Sequence, residues 1–86
     1  MNTYKLVVST PDGSVFDDEA TTLIIRGTEG ELAVMAGHIP FVTAVKPCEC
    51  KLILPNNQEK TATIGGGILT VQAGKTTLLC SDFKWN

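Results

Sequence analysis

Polar and apolar residues alternate with a period of two through most of the chain. Tyr4, Leu6 and Val8 are spaced in this way at its start. No window places apolar residues at i, i+3, i+4 and i+7 between helix-capping residues. Because successive side chains of a strand point to opposite faces of a sheet, the alternation predicts an all-β chain.

Turn-forming residues divide this pattern into short strands. The first hairpin turns at Pro11-Asp12-Gly13, a sequence that favours a tight turn. The return strand opens at residue 15, and further strands are expected at 21–26, 31–35, 41–46, 50–54, 60–64, 68–72 and 76–80. Roughly eight to ten short strands predict a two-sheet antiparallel β-sandwich, because one open sheet of that width would leave an apolar face in water. We assign residues 1–82 to this domain and residues 83–86, which lose the alternation, to a C-terminal tail.

Charge and hydropathy exclude two classes of partner. The net charge is −2 and the pI is near 5.2, so no basic stripe is available to neutralise phosphates and nucleic acid is not expected to bind. The longest uncharged stretches, 32–45 and 61–74, are interrupted by glycine or proline and are shorter than the ~20 apolar residues of a membrane span. The first six residues lack the apolar segment of a secretory signal, which favours synthesis in the cytosol.

The charged residues do not form a recognisable catalytic set. His38 is the only histidine, which excludes a site of several histidines; it is either a structural corner residue or a partner contact. Glu29 and Glu31 flank Gly30 in a turn and are either a solvated tip or a partner contact. The acidic run 17–19 lacks the spacing of a calcium loop and is interpreted as a solvated strand edge.

Cysteine and glycine clusters also favour structural interpretations. The chain has an odd number of cysteines, Cys48, Cys50 and Cys80, so we expect reduced thiols. The Cys-x-Cys pair with one distant thiol could at most begin a soft-metal site, and that site would lack a fourth ligand. The triplet 65–67 has no following Lys-Ser/Thr and so does not predict a phosphate cradle. It indicates a bulge or tight corner, or a surface that another backbone can approach closely. We expect no catalytic residue, no cofactor and no metal.

Residues 27–47 carry three motifs in one ungapped stretch: a Gly-x-Glu-Gly-Glu turn, a Gly-His-x-Pro corner and a Thr-x-x-x-Pro strand end. This stretch resembles the signature of the epsilon subunits of F-type ATP synthases. A Gly-Gly-x-x-x-Val block at 66–71 and the opening hairpin 4–16 are similar to that family as well, so the resemblance extends from residue 3 to about residue 82. The chain departs from the family's usual residues at four positions: Ala33, Ala36, Cys48 and Thr70.

The resemblance implies a function. Members of the family are non-catalytic rotor subunits of the central stalk, which link the gamma subunit to the c-ring and couple proton flow to ATP synthesis. The implied location is peripheral, on the cytoplasmic face of the cell membrane. The resemblance implies c-ring contacts at Glu29, Glu31 and His38, and we expect gamma-subunit contacts at Thr10 and Thr43.

Two further expectations accompany this assignment. Most bacterial members continue into a helical hairpin where this chain stops, so the inhibition and ATP binding associated with that hairpin are not transferred to it. The alternative function is a free-standing β-sandwich ligand-binding module, for example for carbohydrate. It is disfavoured because such platforms use several exposed aromatic side chains, and this chain has one tyrosine, Tyr4, and one tryptophan, Trp85.

Overall fold

The computed structural model describes residues 2–28, 30–37 and 39–86. These residues form ten β-strands, most of them five to eight residues long. Their bounds are β1 Tyr4–Thr10, β2 Gly13–Ala20, β3 Thr22–Gly27, β4 Gly30–Met35, β5 Phe41–Val45, β6 Cys48–Ile53, β7 Glu59–Ile64, β8 Gly67–Gln72, β9 Lys75–Cys80 and β10 Phe83–Trp85. Among the described residues no helix is long and apolar enough to cross a membrane.

The strands form two layers that meet at β3. Pairing runs in the order β10-β7-β6-β3-β5-β8-β9-β1-β2, with β4 on the other side of β3. Strand β3 pairs with β6 through Thr22–Ile24 but with β5 only at Gly27 and Val45. We call β4, β3, β6, β7 and β10 sheet I, and β5, β8, β9, β1 and β2 sheet II. The predicted two-sheet β-sandwich is confirmed; one pair of strands, β1 with β9, is parallel.

The core lies between the inner faces of the two sheets. Alternate residues of each strand are buried there, as the period of two requires. The largest buried apolar side chains are Leu6, Leu23, Ile25, Leu52, Leu69 and Leu78. A hydrogen bond crosses the core: the Tyr4 hydroxyl of sheet II donates to the Val34 carbonyl of sheet I at 2.9 Å.

The last residues belong to the sandwich and do not form the expected tail. Phe83–Trp85 pair antiparallel with β7, opposite Ile64, Thr63 and Ala62. The Trp85 ring lies edge-on to Phe83 and Phe16, with centroids 4.7 and 6.2 Å apart, and the Lys60 Nζ lies 5.2 Å from its centroid. A strand of three residues is too short to show the alternation in sequence, so the pattern did not predict β10. The aromatic contacts join β10, the outer strand of sheet I, to β2, the outer strand of sheet II.

The two ends of the sandwich carry different connections. One end, which we call the hairpin end, contains a row of residues that strand pairing joins: Gly27, Gly30, Val45, Gly67 and Cys80. At the opposite end the β6–β7 and β8–β9 turns lie with residues 36–37 and 39–40, and we call this the loop end.

Candidate docking face

The outer face of sheet II is built from three rows of side chains. Strand register places Ala44, Ile68, Leu79 and Ser9 in one row and Val42, Thr70, Thr77 and Val7 in the next. A third row, at the loop end, contains Gln72, Lys75 and Lys5. The first two rows carry no charge on strands β5, β8, β9 and β1.

Three large apolar side chains are exposed on this face. Val42 is 67% exposed, Ile68 50% and Leu79 52%. Strand register places Ile68 beside Leu79, and Val42 lies on the neighbouring row. Isolated exposed apolar residues are ordinary on soluble proteins, but a group on one face indicates a surface that another molecule covers. We call these two rows the docking face.

The outer face of sheet I differs in chemistry. Lys51 pairs with Glu59 across strands at 3.4 Å, and the Asn86 side-chain amide donates to Glu49 at 2.9 Å. Thr63 in turn donates to the Asn86 side-chain oxygen at 3.0 Å. This polar network suits contact with water, so the contrast between the sheets favours sheet II as the docking side.

Charge is confined to the margin of the docking face. Lys5 and Asp17 form an ion pair of 2.7 Å, and the hydrogen bond and charge of Asp17 raise the pKa of Lys5. Lys75 lies beside Lys5 in the parallel register of β1 and β9. The docking face therefore has an apolar centre with a charged rim on its loop-end side, an arrangement common to protein interfaces.

A concave site opens at the hairpin end of the docking face. Its volume is about 400 Å³, and its walls include Gly66, Gly67, Ile68 and Leu79. Its lining also contains three hydroxyl residues, Ser9, Thr10 and Ser81, together with Pro11 and Cys80. We call this concavity the glycine socket.

Close backbone packing explains the glycine at position 67. A Cβ on Gly67 would overlap the Leu79 carbonyl oxygen and lie 2.8 Å from the Cys80 Cα. A Cβ on Gly66 would lie 3.3 Å from the Val45 carbonyl oxygen, which is tight but not prohibitive. The backbone that approaches Gly67 is therefore strand β9 of this chain, and the tight-corner interpretation of the triplet is the one that the structure supports.

Thr10 and Thr43, the expected gamma contacts, lie near the docking face in different ways. The Thr10 hydroxyl accepts from the Asp12 amide at 3.2 Å and so holds the β1–β2 turn, while the residue lines the glycine socket. Thr43 lies between the outward-facing Val42 and Ala44, and its hydroxyl lies 3.6 Å from the position that a Cβ on Gly27 would take. Thr10 therefore borders the face, whereas Thr43 points to its inner side.

Of the expected c-ring contacts, Glu31 is exposed at the hairpin end, opposite Arg26 on the outer face of sheet I. Glu29 and His38 lie outside the described residues. The neighbours of His38 in sequence, Gly37 and Ile39, follow β4 toward the loop end. The structure therefore does not bring Glu31 together with the chain around His38.

The cysteines are not arranged for chemistry at the surface. Cys50 and Cys80 are buried, and burial raises the pKa of both thiols, that of Cys50 to about 11. The Cys80 thiol lies 3.7 Å from the Ser9 carbonyl oxygen, to which it donates. In the part of the chain that the structure describes, no three His, Cys, Asp or Glu residues are placed to hold a metal ion.

Sequence reasoning did not single out Val42, Ile68 or Leu79, although a signal was present. Each follows or precedes another apolar residue in its strand, as in Ile68-Leu69 and Leu78-Leu79. Two adjacent apolar residues place one side chain on each face of a sheet, so such pairs predict a strand covered on both faces.

These features define an all-β sandwich whose distinctive surface is a neutral, apolar docking face on one sheet. The comparisons with known proteins identify the family. The model of the ATP synthase delta/epsilon chain β-sandwich domain matches residues 3–86, so the chain belongs to that family.

Curated relatives agree with this assignment. The chain is 36% identical over 83 residues to the "ATP synthase epsilon chain, sodium ion specific" of Acetobacterium woodii, covering 96% of this chain and 62% of the relative. It is 32% identical over 83 residues to the ATP synthase epsilon chain of Clostridium novyi, covering 96% of this chain and 63% of the relative. The chain thus spans less than two thirds of the length of these relatives.

Solved structures show the same fold. A chain of the Euglena gracilis mitochondrial ATP synthase (OSCP/F1/c-ring) superposes with a TM-score of 0.92 at 21% identity, covering 96% of this chain and 53% of that one. A chain of the Tetrahymena thermophila mitochondrial ATP synthase central stalk and c-ring gives a TM-score of 0.78 at 14% identity, covering 92% and 63%.

Proposed function

We propose that this chain acts as the sandwich portion of a non-catalytic rotor subunit of an F-type ATP synthase that couples ATP synthesis to the flow of protons or sodium ions. In this role it links the gamma subunit to the c-ring and is peripheral to the cytoplasmic face of the cell membrane, held there by the complex. The observation that carries the proposal is the exposed apolar docking face on sheet II, in a chain of the ATP synthase delta/epsilon family.

The docking face is proposed to contact the gamma subunit. Val42, Ile68 and Leu79 are large side chains at least half exposed, and covering them with a partner removes apolar surface from water. Thr10 borders the same face at the glycine socket, and Thr43 lies in the strand that supplies Val42. A permanent partner on this side would also stabilise a domain of only 86 residues.

The hairpin end is proposed to contact the c-ring through Glu31, together with Glu29. Glu31 is exposed and lies on the outer face of sheet I, away from the docking face. A charged turn suits an interface in which charge complementarity steers and aligns polar loops. The two proposed contacts therefore use different surfaces of one rigid body, as a subunit that transmits torque requires.

The gamma contact is tested by calorimetric titration of the chain into gamma subunit purified from the same organism. The wild-type chain should bind with one-to-one stoichiometry. Val42→Asp should weaken binding by about 100-fold or more, because it buries an unpaired carboxylate. Ala33→Asp is the matched control: it adds the same charge at an exposed edge-strand position of sheet I and should bind like wild type. Failure of the folded wild-type chain to bind would refute the gamma contact.

The ring contact is tested by charge reversal at Glu31. Glu31→Lys should leave the thermal unfolding midpoint unchanged, because the side chain is exposed, yet reduce capture of the reconstituted gamma complex by detergent-solubilised c-ring. Glu59→Lys, a reversal at the loop end, is the control and should be captured normally. Equal capture of both variants would contradict the assignment of Glu31 to the ring.

A further inference from the structure

We propose that the glycine socket receives one aromatic side chain of the gamma subunit that has a hydrogen-bonding edge, a tyrosine or a tryptophan. This inference rests on the proposed function, since it specifies how the docking face is engaged. The supporting observations are the size of the socket, the chemistry of its lining and its position beside exposed Ile68 and Leu79.

The size of the socket suits a single side chain. Its volume of about 400 Å³ is near the lower limit of small-molecule pockets, and it is open to solvent. Gly67 packs directly against strand β9 in the socket wall, where a Cβ would overlap the Leu79 carbonyl oxygen. The concavity is therefore fixed by strand packing and does not depend on a flexible side chain.

The lining selects a neutral occupant with one polar group. None of the described lining residues is charged, and the Cys80 thiol already donates to the Ser9 carbonyl. The walls Ile68 and Leu79 are apolar. The Ser9 hydroxyl can accept from a phenol or indole group or donate to a phenol oxygen, whereas the Ser81 hydroxyl lies against Gly65. An apolar ring with a polar edge matches both parts of the lining.

The position of the socket makes it an anchor point for the interface. Leu79 and Ile68 are neighbours in the outer row of the docking face and also form the socket wall. A partner that covers the row must therefore pass over the mouth of the socket. Aromatic residues seated in such pockets supply a large share of binding energy at protein interfaces.

The test fills the socket and measures affinity for purified gamma subunit by calorimetric titration. Ser9→Phe places a ring at the socket from strand β1, and Pro11→Phe does so from the turn between β1 and β2. Ala33→Phe is the matched control, because Ala33 is exposed on strand β4 of sheet I and does not line the socket. Both filling variants should raise the Kd by about 30-fold or more, while Ala33→Phe should stay within about threefold of wild type.

The outcomes separate this inference from the proposed function. If both filling variants bind as tightly as wild type while Val42→Asp does not bind, the face is engaged but the socket is empty, and the inference is wrong. If the folded wild-type chain does not bind gamma at all, the proposed function fails and the socket proposal fails with it. Circular dichroism checks folding; if Ser9→Phe does not fold, Pro11→Phe decides.

Discussion

Substituting alanine at Gly67 should destabilise the sandwich far more than the same change at the adjacent Gly66. The Cβ of an alanine at 67 would overlap the Leu79 carbonyl oxygen and approach the Cys80 Cα to 2.8 Å. Both obstacles are backbone atoms, so no side-chain rotation relieves them and β8 must move away from β9. Gly67 also pairs with Val45, so the movement disturbs the ladder on both sides of β8.

The magnitude follows from the hydrogen bonds at risk. We expect the loss of about two hydrogen bonds between strands, at about 1 kcal/mol each, and one backbone group left without a good partner. Together these changes should lower the free energy of unfolding by about 3 to 4 kcal/mol. A domain of 86 residues has a typical free energy of unfolding of about 4 to 13 kcal/mol, so this loss is a large fraction of the total. At Gly66 the added Cβ lies 3.3 Å from a carbonyl oxygen and 3.7 Å from Pro47 Cδ. That strain is partly offset by the lower entropy of the unfolded chain, so the net cost should be below about 1 kcal/mol.

Urea denaturation followed by circular dichroism measures both effects. With a slope of about 1 kcal/mol per molar urea for a small domain, the midpoint should fall by about 3 M for Gly67→Ala and by less than about 1 M for Gly66→Ala. Equal losses in the two variants, or a loss under about 1 kcal/mol at Gly67, would refute the close-packing explanation of this corner.

Two further predictions concern the core. Tyr4→Phe should lower the free energy of unfolding by about 1 to 2 kcal/mol in the same assay, because the Val34 carbonyl loses its donor across the sheets; an unchanged midpoint would show that the bond contributes nothing. Burial raises the pKa of Cys50 to about 11, so between about pH 9 and 11 the unfolded chain loses this proton while the folded chain keeps it, and stability should fall as pH rises. The raised pKa of Cys80 acts in the same direction, so Cys50→Ala should reduce the slope of a melting-temperature profile over that interval without removing it. An equally steep profile would contradict the assignment.

Most of the fold was predictable because the alternation of apolar residues and the turn residues agree with each other. The predicted strands at 31–35, 41–46 and 68–72 match β4, β5 and β8 within a residue. The exception is β10, where a strand of three residues carries too little pattern and its place depends on the Trp85 contact with Phe16, about 70 residues away in the chain. Contacts of that range are not visible in local periodicity.

The candidate site was less predictable, since a docking face depends on which strands become neighbours. Strand β1 lies between β2 and β9, and the parallel β1–β9 pairing brings Ser9 beside Leu79 and so helps to form the glycine socket. Local sequence gives no sign of that pairing. It does show that Leu79 and Ile68 each adjoin a second apolar residue, which predicts a covered outer face without identifying the residues across from it.

The separation of the two ends of β4 constrains how partners can approach the molecule. Glu31 and Met35 are four residues apart in a strand, so their Cα atoms are about 13 Å apart, and Gly37 and Ile39 follow Met35 in the chain. One small contact at the hairpin end cannot also cover the loop end. Under the proposed function, the exposed Val42 contacts a partner that approaches sheet II, whereas Glu31 contacts one that approaches the hairpin end. Two partners on two surfaces are what the proposed link between the gamma subunit and the c-ring requires.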